Sequence, residues 1–113
     1  MSVNIQVSGR VVVAYLSGEI DHHTAKKMRE QIDDALNSFM PSMLALDFKD
    51  VTFMDSSGIG LIMGRYRLLQ KTASELCIIN TPEHIYKIMK LAGVEKLAKL
   101  SKGEIQNETD CKK

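Results

Sequence analysis

The sequence has no tryptophan, and aromatic residues of every kind make up only 5% of its 113 residues. Its longest continuous apolar run, residues 11–16, is far shorter than the roughly 20 residues that a membrane-spanning helix needs. The first residues contain no basic stretch followed by an apolar one, so no secretory signal is expected. The chain also has no marked excess of one charge, since it contains 15 Lys and Arg and 14 Asp and Glu. We therefore expect a cytoplasmic protein that binds neither nucleic acid nor membrane.

Cysteine is also scarce, and two residues cannot form a disulfide framework. Cys77 lies in an apolar, strand-like run, whereas Cys111 lies in a polar tail, so pairing them would need a long excursion of the chain. We expect both to be free thiols in a reducing compartment.

What is present is an alternation of strand-like and helix-like patterns with no stretch long enough to link two domains. Apolar residues with a period of two predict strands, and apolar residues three or four apart predict helices. The predicted strands are 3–7, 11–16, 43–48, 75–79 and, as a short optional fifth, 96–100, and the predicted helices are 24–39, 59–69 and 82–92. The order ββαβαβα(β) predicts an α/β fold in which crossovers pack helices against a mixed sheet of four or five strands.

The length of the chain allows one domain with a single modest core. We expect that domain to span residues 1–101 and a polar, mobile C-terminal tail to span residues 102–113. Thr81 and Pro82 have the form of an N-cap followed by a proline in the first helical position. Gly93 has the form of a helix stop.

Two polar segments, "GEIDHHT" and "FMDSSG", each lie between a predicted strand and a predicted helix. Sites in α/β sheets gather where strands end and the following helices begin. We therefore expect the two segments to be neighbours in space although they are distant in sequence.

The serine pair in "DSSG" is compatible with several chemistries. A serine hydrolase would need a base for Ser57, for which His22 and His23 are candidates, but the G-x-S-x-G elbow is absent. A nucleotide cradle would use backbone N–H groups at the helix start, but the Lys-Ser/Thr ending of a P-loop is missing. A receiver domain phosphorylated on Asp55 would need an acidic magnesium cluster after its first strand, where "SGR" stands instead.

The simplest interpretation of these polar residues is structural. Asp55, Ser56 or Ser57 caps a helix, Gly58 permits tight packing, and Asp21 caps the first helix in the same way. A cap does not exclude modification, because the helix dipole favours an exposed phosphate at an N-terminus by about 0.3–1 kcal/mol. Adjacent histidines in a loop with no further ligand indicate solvent or partner contacts, so neither a metal nor another cofactor is expected.

Two segments carry a resemblance to a known family: "GEIDHHTA" (residues 18–25) and "LDFKDVTFMDSSGIGLIMGRY" (residues 46–66). Together they resemble the bacterial anti-sigma factor antagonists of the STAS domain class, most closely the sporulation member of the sigma-F pathway. "LAGVEKLAKL" (residues 91–100) resembles the last helix and strand of that family, so the similarity covers about residues 1–100. The combination is specific, whereas "DSSG" alone would not be.

The resemblance implies a partner-switching protein that is not an enzyme. In the family, the unphosphorylated antagonist binds an anti-sigma factor that is also a serine kinase, and this frees the sigma factor. The kinase uses ATP to phosphorylate a serine of the D-S-[ST]-G motif, the antagonist is released, and a PP2C-type phosphatase removes the phosphate. An antagonist-like scaffold that is never phosphorylated is the alternative.

Carried over to this sequence, the resemblance implies phosphorylation of Ser57, the second serine, as in the sporulation subfamily. Ser56 is the alternative acceptor, because stress-response relatives use the first position. The residues expected to bind the partner are Asp21, His22, His23, Asp55, Ser56, Ser57, Gly58 and Ile59.

Overall fold

The computed structural model describes residues 3–104 of the chain. Within them a five-stranded sheet has the order β1-β2-β3-β4-β5. The elements are β1 Val3–Ser8, β2 Val11–Ile20, α1 His22–Phe39, β3 Met43–Met54, α2 Ser56–Gln70, β4 Glu75–Ile79, α3 Glu83–Leu91, a 3-10 turn Val94–Lys96 and β5 Lys99–Leu100. Strand β1 is antiparallel to β2, and every other neighbouring pair is parallel. The predicted α/β order and mixed sheet are confirmed, including the short fifth strand.

The main core lies between one face of the sheet and the helices. Alternate residues of the central strands, such as Leu16, Leu46 and Ile78, join buried residues of all three helices in one cluster. Helix α1 contributes Met28 and Ile32, as its stripe of apolar residues predicts. Burying a side chain of this size stabilises the fold by about 1.5–3 kcal/mol. The opposite face carries a smaller apolar cluster that includes Cys77.

Strands β2 and β3 both run further than their apolar patterns predict. They continue to pair with each other until Ile20 lies opposite Met54, through two irregularities in register. Gly18 has a φ of 82°, a left-handed conformation that glycine adopts at little cost, and it lies beside one of these irregularities. Polar residues interrupt the pattern here, so the sequence alone predicts strand ends that are too early.

The helix boundaries correct two predictions. Helix α1 begins at His22, so His22 and His23 form its first turn and do not lie in a loop. Pro82, which has no side-chain cap hydrogen bond, is the N-cap of α3, and the predicted cap at Thr81 is wrong. The backbone N–H of Thr81 donates to the carbonyl of Ser101 at 3.3 Å, which holds this residue against the last strand. Gly93, with a φ of 82°, follows the end of α3 as predicted.

Cys77 departs from its prediction as well. It is buried on β4 and is disulfide-bonded, so the expectation of a free thiol is wrong at this residue. Cys111 and the greater part of the predicted tail, residues 105–113, lie outside the described residues. Within residues 3–104, no helix is both long enough and apolar enough to cross a membrane.

Candidate functional site

The two polar segments meet at one edge of the sheet, as predicted. Ile20 and Met54, the last residues of β2 and β3, lie opposite each other. The backbone N–H of Asp55 donates to the carbonyl of Ile20 at 3.2 Å. Asp21 and Asp55, which come directly after these strands, therefore start two neighbouring helices.

Asp21 caps α1 through a complete capping box. Its Oδ1 accepts hydrogen bonds from the backbone N–H groups of His23 at 2.9 Å and Thr24 at 3.0 Å. In return, Thr24 Oγ1 accepts from the backbone N–H of Asp21 at 2.9 Å and donates to the Glu19 carbonyl at 2.8 Å. The hydrogen bond from the Thr24 N–H is the largest influence that holds the pKa of the Asp21 carboxyl below its ordinary value. The prediction of a cap at Asp21 is confirmed.

Asp55 caps α2 in a simpler way. Its backbone is extended, and its Oδ1 accepts the backbone N–H of Ser57 at 2.8 Å. Ser56 and Ser57 therefore occupy the first turn, with Ser56 exposed and Ser57 half-buried. Within residues 3–104 neither serine hydroxyl has a hydrogen-bond partner. Of the three residues predicted as possible caps, Asp55 is the one that caps.

Gly58 is required where the start of α2 packs onto the strand ends. A Cβ at this position would lie 2.2 Å from Cγ and 2.4 Å from Sδ of Met54. The predicted tight packing is confirmed. Ile59 is half-buried and packs against the main core.

His22 and His23 are both exposed at the start of α1, with ring centroids 5.6 Å apart in an edge-to-face arrangement. Neither makes a hydrogen bond to Ser57 in the described part of the chain, although a serine hydrolase needs such a bond. Residues 3–104 contain no group of three His, Cys, Asp or Glu side chains placed to hold a metal ion.

A groove of about 620 Å³ runs between α1 and α2 and starts beside Ser57. Its lining residues are His22, Ala25, Lys26 and Arg29 from α1 and Ser57, Gly60, Leu61, Gly64 and Arg65 from α2. Apart from Ser57 and His22, these residues did not stand out in the sequence. The sequence pattern that could have identified them is their spacing of three and four residues, which places each set along one face of its helix.

Arg65 at the far end of this groove forms an ion pair that joins the two helices. It is 4% exposed, and its Nε lies 2.9 Å from Asp33 Oδ1, although the two are not aligned as a hydrogen bond. Burial is the main cause that lowers the pKa of Arg65 and raises the pKa of Asp33, and their mutual attraction opposes both shifts. The carboxylate of Asp33 therefore offsets the charge of Arg65 within the groove.

The comparisons with known proteins agree with this arrangement. The model of the STAS domain family matches residues 2–106. This chain belongs to the STAS domain family. An anti-sigma F factor antagonist of Paenibacillus polymyxa is 32% identical to this STAS domain over 100 residues, covering 88% of this chain and 86% of that protein. A second antagonist of the same description, from Lysinibacillus sphaericus, is 32% identical over 88 residues, covering 78% and 75%.

The solved structures point to the same family. The anti-sigma factor antagonist SpoIIAA in its unphosphorylated form superposes on this STAS domain with a TM-score of 0.80 at 28% identity, over 96% of this chain and 92% of that one. The Bacillus cell fate determinant SpoIIAA in its phosphorylated form gives a TM-score of 0.73 at 28% identity, over 96% of both chains. The resemblance inferred from "DHHTA" and "MDSSG" is therefore confirmed.

Proposed function

We propose that this STAS domain is an anti-sigma factor antagonist whose binding is switched off by phosphorylation of Ser57. The observation that carries the proposal is the start of α2, where Asp55 forms the cap and neither serine hydroxyl has a hydrogen-bond partner among residues 3–104. A hydroxyl in the first turn of a helix at the protein surface is accessible to a kinase. The names of the relatives, and the phosphorylated form of one similar structure, support this assignment.

In the unphosphorylated state, the surface that binds the anti-sigma factor comprises the starts of α1 and α2. His22, His23 and Ser56 are its exposed side chains, and Asp21 and Asp55 bring carboxylates to it. Gly58 supports this surface by letting α2 pack close to the strand ends, and Ile59 supports it by packing against the main core. Binding of the anti-sigma factor at this surface frees the sigma factor.

The same partner carries the serine kinase activity. The γ-phosphoryl group of ATP moves to the hydroxyl of Ser57, so that an Oγ–P bond forms while the bond between the β-phosphate oxygen and the γ-phosphorus breaks. ADP leaves, and the hydroxyl proton passes to a base of the kinase. A PP2C-type phosphatase then hydrolyses the Oγ–P bond with water and restores the serine. This STAS domain supplies no cofactor and acts as the substrate.

Charge explains why one modification suffices to switch binding. A phosphoserine carries about −1.5 to −2 charges at pH 7. Like charge in an interface costs several kcal/mol, and each 1.4 kcal/mol is a tenfold change in affinity, so we expect binding to weaken about a hundredfold or more. The helix dipole accommodates the phosphate at this end of α2, so the fold itself is retained.

Incubation with a purified partner kinase and ATP, followed by mass spectrometry, tests this proposal. We expect one phosphate on Ser57, its loss in Ser57→Ala, and its retention in the matched variant Ser56→Ala. Transfer of the phosphate site to Ser56 would correct the acceptor and keep the switch. Phosphate found only outside this serine pair would overturn the proposed function.

A further inference from the structure

The groove between α1 and α2 carries positive charge that the fold itself does not use. Lys26 and Arg29 are exposed on its α1 side, and neither has an ion-pair partner within residues 3–104. Among the described residues, no acidic side chain lines the groove. Arg65 is the third cation, and its charge is offset by Asp33. Lys26 at the open end is therefore available to an anion, whereas Arg29 lies close enough to Asp33 to lower the pKa of that carboxyl.

The geometry of the helices brings Ser57 to these cations. Both helices start at the same edge of the sheet, because they follow the paired ends of β2 and β3. His22, Lys26 and Arg29 are four and three residues apart along α1, so they follow one face. Ser57 and Gly60 begin the matching face of α2. Ser57 thus lies at the same end of the groove as His22 and Lys26.

Two glycines keep the floor of the groove open. A Cβ added at Gly60 or at Gly64 would meet nothing within 4 Å, so neither residue is needed for close packing. Both lie inside α2, where glycine is less favourable than alanine because it leaves the unfolded backbone freer. What the two glycines provide is unfilled space beside Ser57 and along the row of cations.

We propose that this groove is a docking site for the phosphate on Ser57 of the same chain, with Lys26 and His22 as its direct ligands. The proposal rests on the phosphorylation of Ser57 proposed above. Three phosphate oxygens accept hydrogen bonds strongly from cationic N–H donors, and such bonds extend about 2.7–2.9 Å. Arg29, one turn further along the groove, adds its charge at longer range.

Other charged groups act on the same phosphate. The carboxylates of Asp21 and Asp55, the two helix caps, lie at the mouth of the groove and repel it. The N-terminal end of the α2 dipole attracts it. Docking therefore has a second consequence for the switch, because it withdraws His22 from the surface that the partner contacts.

A phosphorus NMR titration of the full chain tests the docking. Phosphoserine is installed at position 57 during translation by an expanded genetic code, so that the measurement does not depend on any kinase. We expect the second pKa of the docked phosphate to lie below that of a phosphopeptide of residues 50–62. Lys26→Gln should raise it by about half a pH unit, the size expected for one charge a few ångströms away in water.

Lys27→Gln is the matched control, because Lys27 is the next residue of α1, carries the same charge and does not line the groove. Equal shifts in Lys26→Gln and Lys27→Gln, or a second pKa equal to that of the peptide, would overturn the docking. As an independent readout, a non-specific phosphatase should remove the phosphate faster from the Lys26→Gln chain than from the Lys27→Gln chain. Phosphate placed by the kinase only outside Ser56 and Ser57 would contradict the proposed function, whereas the titration and the phosphatase assay test the docking alone.

Discussion

Helices α1 and α2 begin at the same edge of the sheet with the same residue type, yet they treat their hydroxyl groups in opposite ways. At α1, three residues after the cap, Thr24 uses its hydroxyl to complete the capping box with Asp21. At α2, the residue three after the cap is Gly58, and the hydroxyls of Ser56 and Ser57 are left without partners within residues 3–104. A hydroxyl is open to modification without loss of structure when the cap does not need it.

The largest expected effect is on the affinity for the anti-sigma factor when Ser57 is replaced. Ser57→Asp should weaken binding to the anti-sigma factor by about tenfold to a hundredfold, since it adds negative charge to the interface, while Ser57→Ala should retain it. Titration calorimetry measures both affinities. Ser38→Asp, at the opposite end of α1, is the control for added charge and should bind normally. If Ser57→Ala and Ser57→Asp bind equally well, the scaffold that is never phosphorylated is the better description.

The next effect tests why α2 has a glycine where α1 has Thr24. Gly58→Ala should reduce the free energy of unfolding by about 1–3 kcal/mol, because its Cβ would overlap the side chain of Met54. Urea denaturation measures this loss. Gly60→Ala, two residues along the same helix, meets open space and should stabilise the protein by up to about 1 kcal/mol. Equal losses in the two variants would show that packing against Met54 is not the reason for Gly58.

Removing one hydroxyl from each helix start compares how much each hydroxyl contributes to the free energy of unfolding. Thr24→Val should lower the free energy of unfolding by about 1 kcal/mol, because the backbone N–H of Asp21 loses its acceptor. Ser57→Ala should change it by less than about 0.5 kcal/mol, because its hydroxyl makes no hydrogen bond in the described part of the chain. Denaturant midpoints of the two variants provide the comparison. A loss in Ser57→Ala as large as that in Thr24→Val would mean that the fold needs this hydroxyl.

The smallest effect is the response of the α1 cap to acid. The pKa of Asp21 is lower in the folded protein than its ordinary value, because backbone N–H groups stabilise the carboxylate. Its contribution to stability is therefore complete above the unfolded pKa, about 3.9, and is lost as the pH falls through the lower folded value. Asp21→Asn should remove this part of the acid dependence, which thermal unfolding between pH 5 and pH 2.5 would detect. An unchanged acid dependence in Asp21→Asn would assign the effect to other carboxyls.

Features of the fold that depend on local pattern were predictable from the sequence. The stripe that includes Met28 and Ile32 predicts α1. Residue type predicts a cap at Asp21 and a second cap within residues 55–57, which the structure assigns to Asp55. The positions of the histidines and of Thr81 were not predicted correctly. In both cases the boundary depends on a contact, between Asp21 and Thr24 in one case and between Thr81 and Ser101 in the other.

The candidate site divides in the same way. The two polar segments are visible in the sequence, and their motifs carry the resemblance to the family that the comparisons confirm. The role of the remaining residues depends on distances across the fold. The side chain of Met54 makes a glycine necessary at Gly58. The carboxylate of Asp33 offsets the charge of Arg65, although these two residues are far apart in the sequence.

By itself, the sequence determined the alternation of strands and helices and the two capped helix starts, and its motifs carried the resemblance to the STAS family. The strands, helices and caps follow from periodicity and from residue type, which act over a few positions of the chain. Tertiary structure alone decided that β2 and β3 extend to Ile20 and Met54, and that a basic groove opens beside Ser57. The physical reason is that parallel strands joined by crossover helices bring distant segments to one edge, where contacts between them decide which groups are buried, paired or free.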